Sequence, residues 1–316
     1  MPTQTERVKA HALALGFSRV GIARAAMLEQ ESRHLEAWLD RRYQAGMSWM
    51  ERNLDKRSDP RAVLPGARSV VSVALNYYTP VSHSGDEGTG KISRYAWGDD
   101  YHGILGERLE SLRVWVEKEF TGEKGIWYVD TGPVMDKVWA ERSGIGWEGK
   151  HTNVITREYG SWVFLGELLT TLDLEPDEPA LDHCGTCTLC IEACPTDAIV
   201  EPYVVDANLC ISYLTIEHRG DIGTEIAGKF GRWIYGCDIC QDVCPWNSKF
   251  ATQTEEKGFE PRAGSNAPVL AEWVDMSQEE FRQRFKGSPV KRTKWAGLMR
   301  NIRAVLKGGA SGRGKE

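Results

Sequence analysis

The sequence predicts a mixed α+β / α/β chain. An N-terminal α/β domain spans residues 1–175, a small cysteine-bearing domain residues 176–250, and a basic helical segment with a tail residues 251–316. Three observations predict this. Strand-like and helix-like stretches alternate up to about residue 175, the pattern of layered α/β domains. All eight cysteines lie between Cys184 and Cys244. From Arg282 to the C-terminus there are eleven Lys or Arg and one acid, whereas the first 281 residues hold 28 basic and 44 acidic side chains.

Thr3-Gln4-Thr5-Glu6 fits a capping box and opens a helix to about Leu15, ended by Gly16. Residues 17–23 read as a short strand. Residues 29–45 carry Leu35, Trp38 and Leu39 at helical spacing, with Gly46 as the stop. Residues 69–77 are nearly all apolar and β-branched, so a strand buried on both faces is expected. Residues 101–120 form a helix that buries Leu105, Leu109, Leu112 and Val116. Residues 126–130 are a short strand with Asp130 at its carboxyl end, where open α/β sheets place their ligands. Asp130 reads equally well as the N-cap of a helix starting near Pro133, with Val134, Val138 and Trp139 inward. Residues 153–156 and 162–170 look like paired strands. An acidic, proline-bearing linker, residues 176–179, leads into the cysteines. Residues 279–307 are helical, and a disordered glycine-rich tail follows.

The cysteines fall as Cys184-x-x-Cys187-x-x-Cys190-x-x-x-Cys194-Pro195, then Cys210, then Cys237-x-x-Cys240-x-x-x-Cys244-Pro245. This is the ligand pattern of a ferredoxin-like domain with two 4Fe–4S clusters, in which the Cys before each Pro reaches the other cluster. Cluster one takes Cys184, Cys187, Cys190 and Cys244; cluster two takes Cys194, Cys210, Cys237 and Cys240. An insertion, residues 211–236, separates Cys210 from Cys237. Disulfide frameworks belong to short secreted chains, and a zinc site gives no role to the paired Cys-Pro endings.

A hydrophobic content of 41% is that of a soluble globular protein, and no apolar run is long enough to span a membrane. Without the layout of an export signal at its start, the chain is expected in the cytoplasm. The basic end reads either as a solvated tail or as a surface for a polyanion. No Gly-x-Gly-x-x-Gly opens a helix after a strand, and the glycine-rich turn at residues 144–149 lacks a phosphate-loop ending, so a nucleotide site is not indicated. Asp99, Asp100, His102, Asp130, Asp136, Arg142, Lys150 and His151 are the polar groups suited to a site.

Several blocks are similar to one family. They are Arg94-Tyr95-Ala96-Trp97-Gly98-Asp99-Asp100-Tyr101-His102, Val129-Asp130-Thr131-Gly132-Pro133, Ala140-Glu141-Arg142-Ser143-Gly144-Ile145-Gly146-Trp147, Gly160-Ser161-Trp162-Val163-Phe164-Leu165-Gly166-Glu167, Cys210-Ile211-Ser212-Tyr213-Leu214-Thr215 and Tyr235-Gly236-Cys237-Asp238-Ile239-Cys240-Gln241. Together with the split cysteine motif, from about residue 50 to 250, they resemble the epoxyqueuosine reductases. Some members continue into helical repeats that this chain lacks.

The resemblance implies a base-off cobalamin held by the α/β domain against cluster one, and an external low-potential donor of ferredoxin or flavodoxin type. It implies reduction of epoxyqueuosine to queuosine at the wobble position of tRNA, the last step of queuosine biosynthesis. It puts the proton donor on Asp130, which burial would keep protonated, with His102 as the second choice. It places Arg57, Ser93, Asp130, Val154, Leu165, Ser212 and Asp238 near cobalamin, and offers His218 and Arg219 of the insertion, with Lys229, to the anticodon stem-loop. The expected enzyme is a monomer. Two other readings remain: a cobalamin-dependent reductive dehalogenase-like reductase of a small substrate, and a non-catalytic electron carrier.

Overall fold

The computed structural model describes residues 1–311, with side chains through Lys307. In chain order it has α1 (Gln4–Ala14), β1 (Arg19–Arg24), α2 (Glu29–Asp40), α3 (Leu54–Ser58), β2 (Ser69–Asn76), β3 (Lys91–Ile92), α4 (Tyr101–Glu119), β4 (Gly125–Tyr128), α5 (Asp136–Arg142), β5 (Trp147–Glu148), β6 (Val154–Ile155) and β7 (Val163–Thr170). The second half adds α6 (Leu189–Glu192), β8 (Ile199–Glu201), β9 (Val204–Val205), α7 (Ile211–Ile216), α8 (Thr224–Gly228), β10 (Trp233–Tyr235), α9 (Ile239–Asp242), α10 (Pro245–Phe250), α11 (Leu270–Trp273), α12 (Gln278–Arg284) and α13 (Lys294–Ser311).

The main sheet runs β1-β2-β7-β4, and every pairing in it is antiparallel. Strand β2 is buried at every position, as its apolar run requires, but in an antiparallel sheet. Both faces are covered. Val71, Val73 and Leu75 join Val8 and Ala12 of α1 and Leu105, Leu109 and Leu112 of α4. Alternate side chains, Val70 and Leu169, point to the opposite face and pack on Trp139 of α5. The capping box at Thr3 and Glu6 forms as its sequence requires.

Four local expectations are corrected. Helix α2 ends at Asp40, because Arg42 and Ala45 take left-handed φ of 57° and 53° and turn the chain before Gly46. Residues 153–156 do not pair with β7. Strand β6 pairs with β5, β7 lies between β2 and β4, and a single bridge joins Thr156 to Gly160. Asp130 caps no helix; α5 starts six residues later, and the residue before it, Met135, makes no side-chain cap. The C-terminal helix runs to Ser311, through the first glycines of the tail expected to be disordered; residues 312–316 lie outside the described residues.

A second core holds the rest together. Ile92, Ala96 and Trp97 pack with Ile211, Tyr213 and Leu214 of the insertion and with Phe281, Phe285, Leu298 and Ile302 near the C-terminus. Polar clamps reinforce it. Arg300 donates to the carbonyls of Leu214, His218 and Gly220, and the buried Asn301 donates to those of Thr215 and Ile234. Among the described residues no helix is long and apolar enough to cross a membrane.

Candidate active site

A cavity of about 430 Å³ lies where the antiparallel sheet meets the cysteine-bearing segment. Tyr101, Asp130, Asp136, His151, Val154 and Leu165 line it from one side. Cys194, Cys210, Ser212, Cys237 and Cys240 line it from the other.

Asp130 sits two residues beyond β4 in a tight turn, with φ of 58°. Its side chain is 66% exposed at the mouth of the cavity. Burial by the protein alone, expected as the source of its protonation, is therefore absent here; any desolvation has to come from what binds over it. The Tyr101 hydroxyl donates to Asp130 Oδ2 at 2.7 Å. Tyr101 is held flat against Phe164, with ring centroids 4.2 Å apart and 6° between planes. Burial and the Asp130 charge push its pKa further up, so it stays a donor. His102 Nε2 lies 3.9 Å from Asp130 Oδ2, and its Nδ1 contacts Asp100 Oδ1 at 2.7 Å. That contact holds the Asp100 carboxyl below its usual range and orients the imidazole.

The eight cysteines are all unpaired and fall into two sets. The electrostatic neighbours of Cys190 include Cys184 and Cys244, and Cys187 is a neighbour of Cys244. Cys210 neighbours Cys194, Cys237 neighbours Cys240 and Cys210, and Cys240 also feels Cys194. Cys240 also feels Cys190 of the other set, so the sets adjoin. Burial raises the thiol pKa of Cys184, Cys190 and Cys244 in one set and of Cys210, Cys237 and Cys240 in the other. Two adjoining sets of thiols suit two cubane clusters, whose irons would take the place of thiol protons. Lys150 donates from Nζ to the carbonyls of Gly185 and Cys187 and ties the first cysteine loop to the strand β5 region.

The other predicted contacts divide. Ser93, Val154, Leu165 and Ser212 line the cavity. Asp238 is fully buried behind it, where its carboxylate accepts from the Ser93 hydroxyl and the Arg94 amide. Burial pushes its pKa up to about 6. Arg57 is off the cavity wall, spending its donors on the carbonyls of Trp49 and Arg52. His218 and Arg219 are also away from it. Arg219 donates to the carbonyls of Ile216, Arg292 and Thr293, and so joins the insertion to the C-terminal segment.

Two groups gain a place that the sequence did not give them, although His151 and Asp136 stood among its polar candidates. His151 Nδ1 accepts the Asn153 amide, so Nε2 carries the proton; it is buried, without a partner, and borders the cavity. Burial pushes its pKa down to about 4, which keeps the ring neutral. An unpaired buried donor of this kind fits the amide arms of a cobalamin. The second group is the Asp136–Glu167 carboxyl pair. Asp136 carried no motif, and a glutamate inside a strand gives no sign of the helix that covers it.

A cavity between an acid-bearing turn and the thiols of Cys194, Cys210, Cys237 and Cys240, the set expected to hold cluster two and not cluster one, defines a redox enzyme site. The chain is similar to known proteins across its length. Residues 57–131 match the family described as epoxyqueuosine reductase QueG, DUF1730, and residues 183–247 match the 4Fe-4S double cluster binding domain. An epoxyqueuosine reductase of Synechocystis sp. is 49% identical over 91% of this chain and the whole of that relative. A crystal structure of epoxyqueuosine reductase with an epoxyqueuosine-modified tRNA-Tyr stem loop has a TM-score of 0.89 at 32% identity, covering 95% of this chain and 80% of that one. A Bacillus subtilis epoxyqueuosine reductase, solved with its catalytic aspartate loop swung out of the active site, has a TM-score of 0.88 at 31% identity, with the same coverage. This chain belongs to the epoxyqueuosine reductase family.

Proposed function

We propose that this chain reduces epoxyqueuosine to queuosine at the wobble position of tRNA. The observation that carries the reading is the cavity itself, which puts one exposed carboxyl, Asp130, opposite Cys194, Cys210, Cys237 and Cys240. In this reading residues 1–175 hold cobalamin, residues 176–250 carry the two 4Fe–4S clusters on the quartets Cys184, Cys187, Cys190, Cys244 and Cys194, Cys210, Cys237, Cys240, and the C-terminal residues face RNA. When bound, the clusters and cobalamin supply low-potential electrons at the cavity. Ser93, Val154, Leu165, Ser212 and the His151 Nε2 donor would hold the cobalamin.

The protein's own residues supply the proton chemistry. The epoxide oxygen cannot leave as a bare alkoxide, and Asp130 is placed to protonate it. Tyr101 fixes one carboxyl oxygen. RNA over the mouth desolvates Asp130 and favours its acid form. His102, oriented by Asp100, is the nearest alternative donor. The basic segment supports an RNA substrate: Lys291 lies within electrostatic range of Asp100, and Arg292 of Asp130, so positive charge rims the mouth. An external low-potential donor and a monomeric, cytoplasmic enzyme complete the reading. Anaerobic turnover of an epoxyqueuosine-containing stem loop, with queuosine identified by mass spectrometry, tests it; a protein with full iron and bound cobalamin that makes none contradicts it.

A further inference from the structure

Behind Asp130 the interior holds a carboxyl pair that the reaction above does not use. Glu167 lies mid-strand on β7, fully buried, in register with Ser72 of β2 and Tyr128 of β4. Strand alternation turns it to the face covered by α5. Asp136, in the first turn of α5, is its charged neighbour there, and each carboxyl feels the other's charge or hydrogen-bonding field. Both Glu167 oxygens, Asp136 Oδ1 and the Ser72 hydroxyl are shut off from solvent and have no further partner.

Two carboxylates facing each other in such a place ionise together only at a cost, so the emptied pair draws a proton back; one proton between them turns repulsion into a hydrogen bond. The surrounding charges do not relieve this. Asp130 adds repulsion. Arg57 of α3, with Nε and Nη2 on backbone carbonyls, reaches Asp136 only through space. Tyr128 is neutral, its pKa raised by burial. Burial accordingly raises the pKa of both Asp136 and Glu167. Asp136 also borders the cavity and lies in range of the Asp130 backbone amide, so the pair extends from the sheet interior to the turn that carries the acid.

Removing an epoxide oxygen as water takes two electrons and two protons, and both protons end on that oxygen. Asp130 holds one, and bound RNA closes the mouth to solvent. We propose that Asp136 and Glu167 share one proton and form an internal store that recharges Asp130 during turnover. The inference rests on the reading of Asp130 as the acid. Asp130 gives its proton to the oxygen as the first carbon–oxygen bond breaks. It then takes the stored proton and passes it to the hydroxyl, which leaves as water when the second bond breaks. The two electrons delivered by the low-potential donor become the second bond of the alkene. The emptied pair is refilled from solvent through Asp130 once product leaves. Asp136 and Glu167 act only through Asp130.

Glu167→Gln, with Asp136→Asn as a second variant, tests the store. In the infrared, the reconstituted wild-type protein should keep a protonated-carboxyl band into alkaline buffer, and Glu167→Gln should lose it. In the reconstituted enzyme, Glu167→Gln should fall behind wild type on the order of tenfold in alkaline buffer, less than the ~10²–10⁴-fold of losing a general acid. In acid it should recover, because solvent protons then recharge Asp130, 66% exposed at the mouth, without the store. A purely structural role would cost the same at every pH. Both variants running parallel to wild type across pH, or both keeping the infrared band, overturns the store. If Asp130→Asn is inactive while Glu167→Gln runs parallel, the store alone is wrong. If Asp130→Asn turns over like wild type, the acid assignment falls and the store with it.

Discussion

Asp130 combines two properties that pull in different directions. Its left-handed backbone costs a non-glycine residue about 1–2 kcal/mol, and its carboxyl stands in the open, held by one tyrosine hydroxyl. Asparagine tolerates the same backbone conformation, so Asp130→Asn changes the acid without changing the turn. That variant is expected to keep its iron and its affinity for RNA while turnover falls by at least about 10²-fold; single-turnover rates measured beside iron content check this. The chemical type of the residue was legible from the sequence. Its exposure was not, because burial at a turn depends on residues distant in the chain, here Tyr101 and Phe164.

At the scale of elements, the packing of α5 on β7 stores a pH dependence. Glu167 has its folded pKa raised by burial, so the folded state binds the extra proton. Its contribution to stability is therefore present below the ordinary carboxylate pKa and lost as pH rises towards the folded value. The Glu167→Gln protein, neutral at all pH, is expected to flatten this slope and to melt at a higher temperature than wild type in alkaline buffer. Melting curves across pH decide it, and identical slopes would count against a buried ionisable Glu167. The clamp between α13 and the insertion gives a second test. Arg300→Met leaves the carbonyls of Leu214, His218 and Gly220 without their donor and should cost ~2–4 kcal/mol. A lowered melting temperature with unchanged iron content is the expected reading.

Elements with strong local signals were legible. The capping box of α1, the apolar run of β2 and the inward leucines of α4 all stand where their periodicity puts them. Strand partners were not. Alternation of strands and helices is compatible with parallel or antiparallel pairing, and the choice is made by contacts such as Ser72 with Glu167, far apart in the chain.

On the scale of the whole molecule, the basic C-terminus is part of a core. Its apolar face packs with the insertion that splits the cysteine motif, and two of its arginines are committed to internal contacts, Arg300 to carbonyls and Arg292 to Glu217. Charge composition alone could not separate this from a solvated tail. Lys291 and Lys294 remain on the exposed side. If this side meets RNA, Lys291→Ala with Lys294→Ala should weaken stem-loop binding and make its salt dependence shallower by about one to two contacts, whereas an unchanged slope would place the RNA elsewhere.

The most direct measurement is anaerobic reconstitution with iron, sulfide and cobalamin, followed by a strong reductant and an epoxyqueuosine-containing tRNA stem loop, with nucleosides read by mass spectrometry. Queuosine formed by wild type only when cobalamin is added, and lost in Asp130→Asn, is the predicted result. Queuosine formed equally without cobalamin, or by Asp130→Asn at the wild-type rate, would contradict a site in which Asp130 and the cysteines across the cavity act together.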